Sequence, residues 1–136
     1  MTSRNVTPYL CAKGAAAAIA FYEAAFGATE RYRLPNADGT LGHAELTIGG
    51  TTLYLSDEAP SLGVFSPATL KGNSCSFVID VDDADAAVAR AVAAGATVER
   101  PVTDAPYGRG GWVVDPFGHR WSLQTPNPNF KPEDMA

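Results

Sequence analysis

The sequence of 136 residues predicts an α+β fold made of two βαβββ repeats, on three observations. The order strand-helix-strand-strand-strand can be read twice along the chain. One offset of 68 residues lays Gly27-Ala28-Thr29 on Gly95-Ala96-Thr97 and the hairpin glycine Gly50 on Gly118. Both helices end on a glycine, where a left-handed cap belongs. Repeats of this kind pair because neither unit buries its apolar face alone. One domain is therefore expected, with repeat one at about 5–57, a linker at 58–72, repeat two at about 73–125 and a tail at 126–136.

Each element follows from its residues. Val6 to Ala12 reads as a short strand, with Pro8 tolerable only near an edge or at the strand's start. Ala15 to Phe26 is a helix rich in the best helix former, and Ile19, Tyr22 and Phe26 form one apolar stripe closed by Gly27. Thr29 to Leu34, Leu41 to Ile48 and Thr51 to Ser56 are strands, joined by the turn Asn36-Ala37-Asp38-Gly39 and the tight hairpin Gly49-Gly50. From Asp57 to Gly72 the prolines and glycines show no sustained period, and a linker is expected. Cys75 to Val81 is the next strand, with Phe77, Ile79 and Val81 alternating against Ser76, Val78 and Asp80. Asp82 or Asp83 caps a helix that runs to about Ala94 and ends at Gly95. Thr97 to Pro101 is strand-like, Thr103 to Gly111 reads as a Gly/Pro-containing loop, and Trp112 to Val114 begins a further strand. Asp115-Pro116-Phe117-Gly118 is a turn, Arg120 to Gln124 closes the sheet, and an irregular tail with three prolines follows.

Composition narrows the function. Ten Lys+Arg against fifteen Asp+Glu give a net charge of −5, which argues against a nucleic-acid partner. No apolar run is long enough to span a membrane. The first residues, MTSRNVTPYL, hold no secretory h-region, so a cytoplasmic protein is expected. Cys11 and Cys75 make neither a disulfide framework nor a zinc knuckle, and both read as buried, inert thiols. Phosphate-binding glycine loops and nucleophile elbows are missing: Gly108-Arg109-Gly110-Gly111 lacks the Lys-Ser/Thr of a P-loop.

Val6-Thr7-Pro8-Tyr9-Leu10, the helix ending Phe-Tyr-Glu-Ala-Ala-Phe-Gly at Gly27, and Gly42-His43-Ala44-Glu45-Leu46 resemble the glyoxalase/bleomycin-resistance/dioxygenase superfamily. This group is also called the vicinal oxygen chelate superfamily. In the second half Val81-Asp82-Asp83 and Asp115-Pro116-Phe117-Gly118-His119-Arg120-Trp121 agree, and the pattern is most similar to the PhnB-like branch. The resemblance covers about residues 5 to 125. It implies a curled mixed sheet with helices outside and a ligand on the concave side, in a homodimer. Metal-dependent members place His, Gln or Glu at four inward positions, on the first and fourth strands of each half. Read onto this chain, those positions are Thr7 or Pro8, Tyr54, Ser76 and Ser122, and none is a credible ligand for a divalent ion. No metal and no other cofactor is expected.

Other residues carry chemistry of their own. His43 and Glu45 lie two apart on a strand and share a face with Thr47 and Tyr54. They could act as a general-base pair, supply two ligands of an unusual metal site, or simply hydrogen-bond on a half-polar sheet. Arg120, Ser122 and Gln124 share a face of the last strand; Arg120 has the fork that grips a carboxylate or phosphate, or it pairs with a nearby acid. Trp121, the repeat mate of Leu53, reads as core, and His119 in the turn as either a solvated residue or one that supports a site from behind. Tyr107 and Arg109 sit in a glycine-flanked segment that could close over a ligand or merely connect.

Three functions are open at this point. The first is a small-molecule binder, with His43, Glu45, Tyr54, Ser76, Tyr107, Arg120 and Ser122 around an aromatic or cationic ligand. The second is a metal-dependent lyase, isomerase or dioxygenase of the same superfamily using His43 and Glu45, with a divalent metal as cofactor. The third is a protein that serves only as an interaction partner.

Overall fold

A computed structural model describes residues 4–135. The chain divides between Lys71 and Gly72 into two compact units. Unit one runs β1 (Tyr9–Cys11), α1 (Ala15–Phe26), β2 (Thr29–Pro35), β3 (Leu41–Ile48), β4 (Thr51–Ser56) and α2 (Pro67–Leu70). Unit two runs β5 (Phe77–Asp80), α3 (Ala84–Ala94), β6 (Thr97–Ala105), β7 (Gly108–Val114) and β8 (Arg120–Pro126). Each unit has one open four-stranded mixed sheet, ordered β1-β4-β3-β2 in the first and β5-β8-β7-β6 in the second. Only the first strand of each unit runs parallel to its neighbour. The α+β class and the repeated βαβββ module are as expected.

In unit one the alternation of β3 and β4 puts Ala44, Leu46, Leu53 and Leu55 on the buried face, against Ala15, Ala18, Ile19 and Tyr22 of α1. Burying one leucine-sized side chain contributes about 1.5–3 kcal/mol, so this single face dominates the unit's stability. α1 ends at Gly27 in the left-handed conformation, with φ 68°, as its sequence demands. β1 is shorter than expected. Pro8 has no N–H to give, and only its carbonyl joins the ladder, accepting from Tyr54 N at 2.9 Å.

The expected linker is structured. Pro60–Leu62 forms a 3-10 turn inside a bridge between Ala59 and Val64, and α2 starts at the N-cap Ser66 with Pro67 in its first position. Glu58 accepts from both Ser66 N and Ser66 Oγ at 2.9 Å. One-turn elements show no hydrophobic period, which is why the residues alone read as a linker.

In unit two Trp121, Leu123 and Val113 pack with Val88 and Ala91 of α3, which Asp83 caps by accepting from Ala86 N at 3.0 Å. The segment expected as a loop from Thr103 to Gly111 is instead a β-hairpin, with Pro106 and Tyr107 as its turn. Its glycines serve close approach rather than mobility. A Cβ on Gly108 would lie 2.4 Å from the Thr125 carbonyl oxygen, and one on Gly110 would lie 3.0 Å from that of Leu123. The tail packs back on this hairpin: Asn127 N donates to the Tyr107 carbonyl at 2.8 Å, and Phe130 meets the Tyr107 ring edge-on.

The turn after β7 is organised by a buried carboxylate. Asp115 Oδ1 accepts from Phe117 N and His119 N, and Oδ2 accepts from Trp121 Nε1 at 2.9 Å. His119 is therefore buried, with its ring against Phe77, which removes the solvated one of its two expected roles. The turn's hydrogen bonds draw it inward.

Candidate functional site

Strand pairing decides which side chains share the face that each sheet leaves uncovered by its helix. Across unit one, Tyr9 pairs with Tyr54, Tyr54 with Glu45 and Glu45 with Tyr32, so these four stand in one row across all four strands. His43 lies one step along β3 on the same face. Tyr9 Oη and His43 Nδ1 are hydrogen-bonded at 2.6 Å. The His43 ring centroid lies 5.3 Å from that of Tyr9, 4.8 Å from Tyr54 and 5.9 Å from Tyr32. Tyr9 is 56% exposed and Tyr32 45%, so aromatic surface remains open to a ligand. Burial of its hydroxyl pushes the Tyr9 pKa above the usual value, and the nearby Tyr32 and Tyr54 add to the shift.

His43, Glu45 and Tyr54 are thus brought together, but not as a His–Glu pair. Glu45 is taken by Arg31, whose Nε lies 3.1 Å from Oε2, and His43 is taken by Tyr9. Tyr9 and Tyr32 are the members the residue pattern missed; their register with β4 and β3 is a long-range fact that local alternation does not contain.

Beside this row a cleft of about 400 Å³ opens, lined by Tyr9, Leu10, Cys11, Leu41, Leu62 and Val64 among others. Its size falls within the roughly 300–1,000 Å³ of small-molecule sites. Tyr9 belongs to both the row and the cleft. Burial pushes the Cys11 thiol up to about 11, so it is inert at neutral pH, as expected. Cys75 is exposed, which corrects the expectation of a second buried thiol. It precedes β5, which starts only at Phe77.

In unit two the corresponding row is Val78, Ser122, Trp112 and Arg100. Thr7 and Ser76 lie a step before the residues that pair with Tyr54 and Ser122, namely Tyr9 and Val78. The counterpart of Glu45 is Trp112, one residue short of Val113 at the offset of 68, because a two-residue turn joins β3 to β4 whereas five residues join β7 to β8. Arg120 stacks on Trp112, 4.8 Å from the ring centroid. Its Nε donates to Glu99 at 3.0 Å and its Nη1 to Ser76 Oγ at 2.8 Å. Arg120 holds the Glu99 carboxyl below the usual carboxylate range. The Arg120 fork is therefore engaged by an acid rather than free for a ligand. Arg109 is likewise clamped by Asp85 and Asp104, and Tyr107 stands at the hairpin tip.

The donor set does not suit a divalent metal. Thr7, Tyr54, Ser76 and Ser122 offer only neutral hydroxyls, and among the described residues no three His, Cys, Asp or Glu side chains converge.

Two βαβββ modules with a ligand-sized cleft and an aromatic sheet face define a protein of the vicinal oxygen chelate type. Residues 6–123 match the model of the Glyoxalase/Bleomycin resistance protein/Dioxygenase superfamily, and the chain belongs to it. An uncharacterised protein of Mycobacterium tuberculosis is 43% identical over 125 residues, covering 89% of this chain and 74% of the relative. The X-ray structure of an Arabidopsis thaliana gene product is 32% identical with a TM-score of 0.73, covering 90% of this chain and 99% of the other. FosX, a fosfomycin resistance protein from Listeria monocytogenes solved with Mn(II) and a dihydroxypropylphosphonic acid, has a TM-score of 0.71 over 100% of both chains. At 20% identity that likeness speaks for the fold alone. No helix among the described residues is long and apolar enough to cross a membrane.

Proposed function

We propose that this protein is a small-molecule-binding member of the superfamily that works without the metal site of its metal-dependent relatives. The observation that carries this reading is the row Tyr9–Tyr54–Glu45–Tyr32 with His43 at its centre. Tyrosine rings offer large rigid contact surface at low entropic cost, and their faces attract cations. With Glu45 beside them and a net charge of −5, the fitting ligand is planar, aromatic and cationic. Its apolar part would enter the cleft beside Tyr9.

The test is a thermal-shift screen with planar aromatic cations, followed by calorimetric titration of the best compound. Tyr54→Ala is expected to raise Kd by roughly tenfold or more, as loss of a central aromatic anchor does. Failure of every such compound to shift the melting temperature would overturn the reading. The metal-dependent alternative makes the opposite prediction: a near-stoichiometric divalent ion in the purified protein, lost in His43→Ala. Elemental mass spectrometry decides between them.

The same reading places the chain in the PhnB-like branch, as a cytoplasmic homodimer. Its support is the motif set around Pro8-Tyr9-Leu10 and Asp115-Pro116-Phe117-Gly118. A monomeric mass by light scattering would remove the dimer from it.

A further inference from the structure

We infer that Arg31 is a built-in competitor for the ligand's charge: it holds Glu45 in the free protein, and a cationic ligand binds by displacing it. The inference rests on the reading that the aromatic face of unit one takes a planar cation, and adds how that face selects it. Arg31 reaches Glu45 because of a β-bulge. Glu30 pairs with Leu46 and Tyr32 with Glu45, so Arg31 has no pairing partner on β3 and two residues of β2 stand opposite one. In unbroken register Arg31 would stand opposite Glu45, and Tyr32 would pair with Ala44 on the helix side. The extra residue keeps both on the open face. Tyr32 joins the row, 5.9 Å from His43 between ring centroids, and Arg31 Nε lies 3.1 Å from Glu45 Oε2. Unit two repeats the device with the opposite charge. Its bulge leaves Glu99 unpaired between Val98 and Arg100, and Glu99 crosses the open face to Arg120. In both repeats, then, the bulged residue carries a charge to the open face and fastens it there.

The Arg31–Glu45 pair is lopsided. The Glu45 side chain is 13% exposed and that of Arg31 57%. A carboxylate so placed keeps a cation, because withdrawing its partner leaves a poorly hydrated charge. Arg31 stands on an edge strand, half in water, and regains its hydration at little cost when it leaves. Exchange at Glu45 therefore means that Arg31 swings out and another cation takes its place. The face then responds to two properties of a ligand. A neutral ring can stack on the tyrosines but leaves Arg31 where it is. A bare cation gains at Glu45 only what Arg31 gives up. A planar aromatic cation does both, and ring contact supplies the net affinity. Arg31 is in this sense a specificity-determining residue: it cancels the advantage of charge unless aromatic surface comes with it.

Fluorescence titration with two probes of one shape tests it: N-methylacridinium, a permanent planar cation, and acridine, uncharged in mildly alkaline buffer. Arg31→Gln is expected to tighten the cation by about two- to fivefold, the worth of a half-exposed ion pair, and to leave acridine unchanged. In a Glu45→Gln background the same substitution should gain nothing. Plain repulsion between Arg31 and the ligand would give an equal gain in both backgrounds, and that result overturns the inference. Arg33→Gln, which removes an equal charge that holds Glu30 instead, should change neither affinity. In ¹⁵N-labelled wild type the Arg31 Nε–H signal should move with saturation by the cation and stay in place with acridine. Arg31 is exposed on an edge strand, and its variant should melt with the wild type. Cation affinity unchanged in Arg31→Gln overturns this inference and leaves the face a cation binder. Binding of neither probe by wild type and Arg31→Gln alike overturns both.

Discussion

Units one and two share a backbone plan and a core, and differ on their open faces. Leu46 and Val113, Leu53 and Trp121, and Leu55 and Leu123 occupy matching places on the buried faces. On the open faces Tyr9–Tyr54–Glu45–Tyr32 stands against Val78–Ser122–Trp112–Arg100. One face is aromatic with a carboxylate; the other sets two guanidinium groups around a single indole. Core residues are constrained by packing on a helix, whereas face residues are free to diverge once the strands are paired. The helix starts show the same plan with different chemistry. Asp57, just past β4, accepts from Gly14 N and Ala15 N at 2.9 Å and from Leu41 N at 2.7 Å. Thr125, its counterpart on β8, accepts among the described residues only from Ala84 N, at 3.0 Å.

Replacing Trp121 by its counterpart's leucine attacks the comparison hardest. Trp121→Leu leaves a cavity against Phe77 and removes the indole donor to Asp115 Oδ2, so a loss of about 3 kcal/mol is expected in urea unfolding. A loss below about 1 kcal/mol would mean that the two cores are interchangeable. Asp57→Ala removes the acceptor of three backbone N–H groups and should cost about 2–3 kcal/mol. Asp57→Thr, which copies unit two, should recover part of that loss; if it recovers none, the two helix starts are not equivalent.

Cys11 sharpens the contrast by pH. Its counterpart is the exposed Asp80, whereas Cys11 itself is buried. Its folded pKa, about 11, lies above the ordinary value near 9. Below pH 9 both states hold the proton and the stability is intact. As pH rises from there, the unfolded chain ionises first and stability falls, by on the order of 2 kcal/mol for this group. Urea unfolding at pH 8 and pH 11 should show a smaller fall in Cys11→Ala than in the wild type. The smallest effect belongs to Arg33, which grips Glu30 three residues away on the exposed β2. The matching residues of unit two, Val98 and Pro101, carry no charge. Arg33→Gln is accordingly expected to shift the unfolding free energy by less than about 0.5 kcal/mol.

Sequence alone determined the elements whose signal is local and repeated. Ala15–Phe26 with its Gly27 cap, Leu41–Ile48 and Thr51–Ser56 are read from residues that state their own conformation. The sequence pattern also placed His43, Glu45 and Tyr54 on one face, because alternation along a strand is a property of the strand. Glycine misled the reading at Gly108 and Gly110, since the same residue permits either a flexible loop or a close strand approach, and only the neighbouring β8 tells them apart. What tertiary structure decided is everything that depends on register between distant strands. Pairing of β1 with β4 brought Tyr9 into the aromatic row, the longer turn before β8 set Trp112 opposite Ser122, and β6 delivered Arg100 to that indole. Register is fixed by turn length and by burial of the far face, and neither is visible in the residues that it brings together.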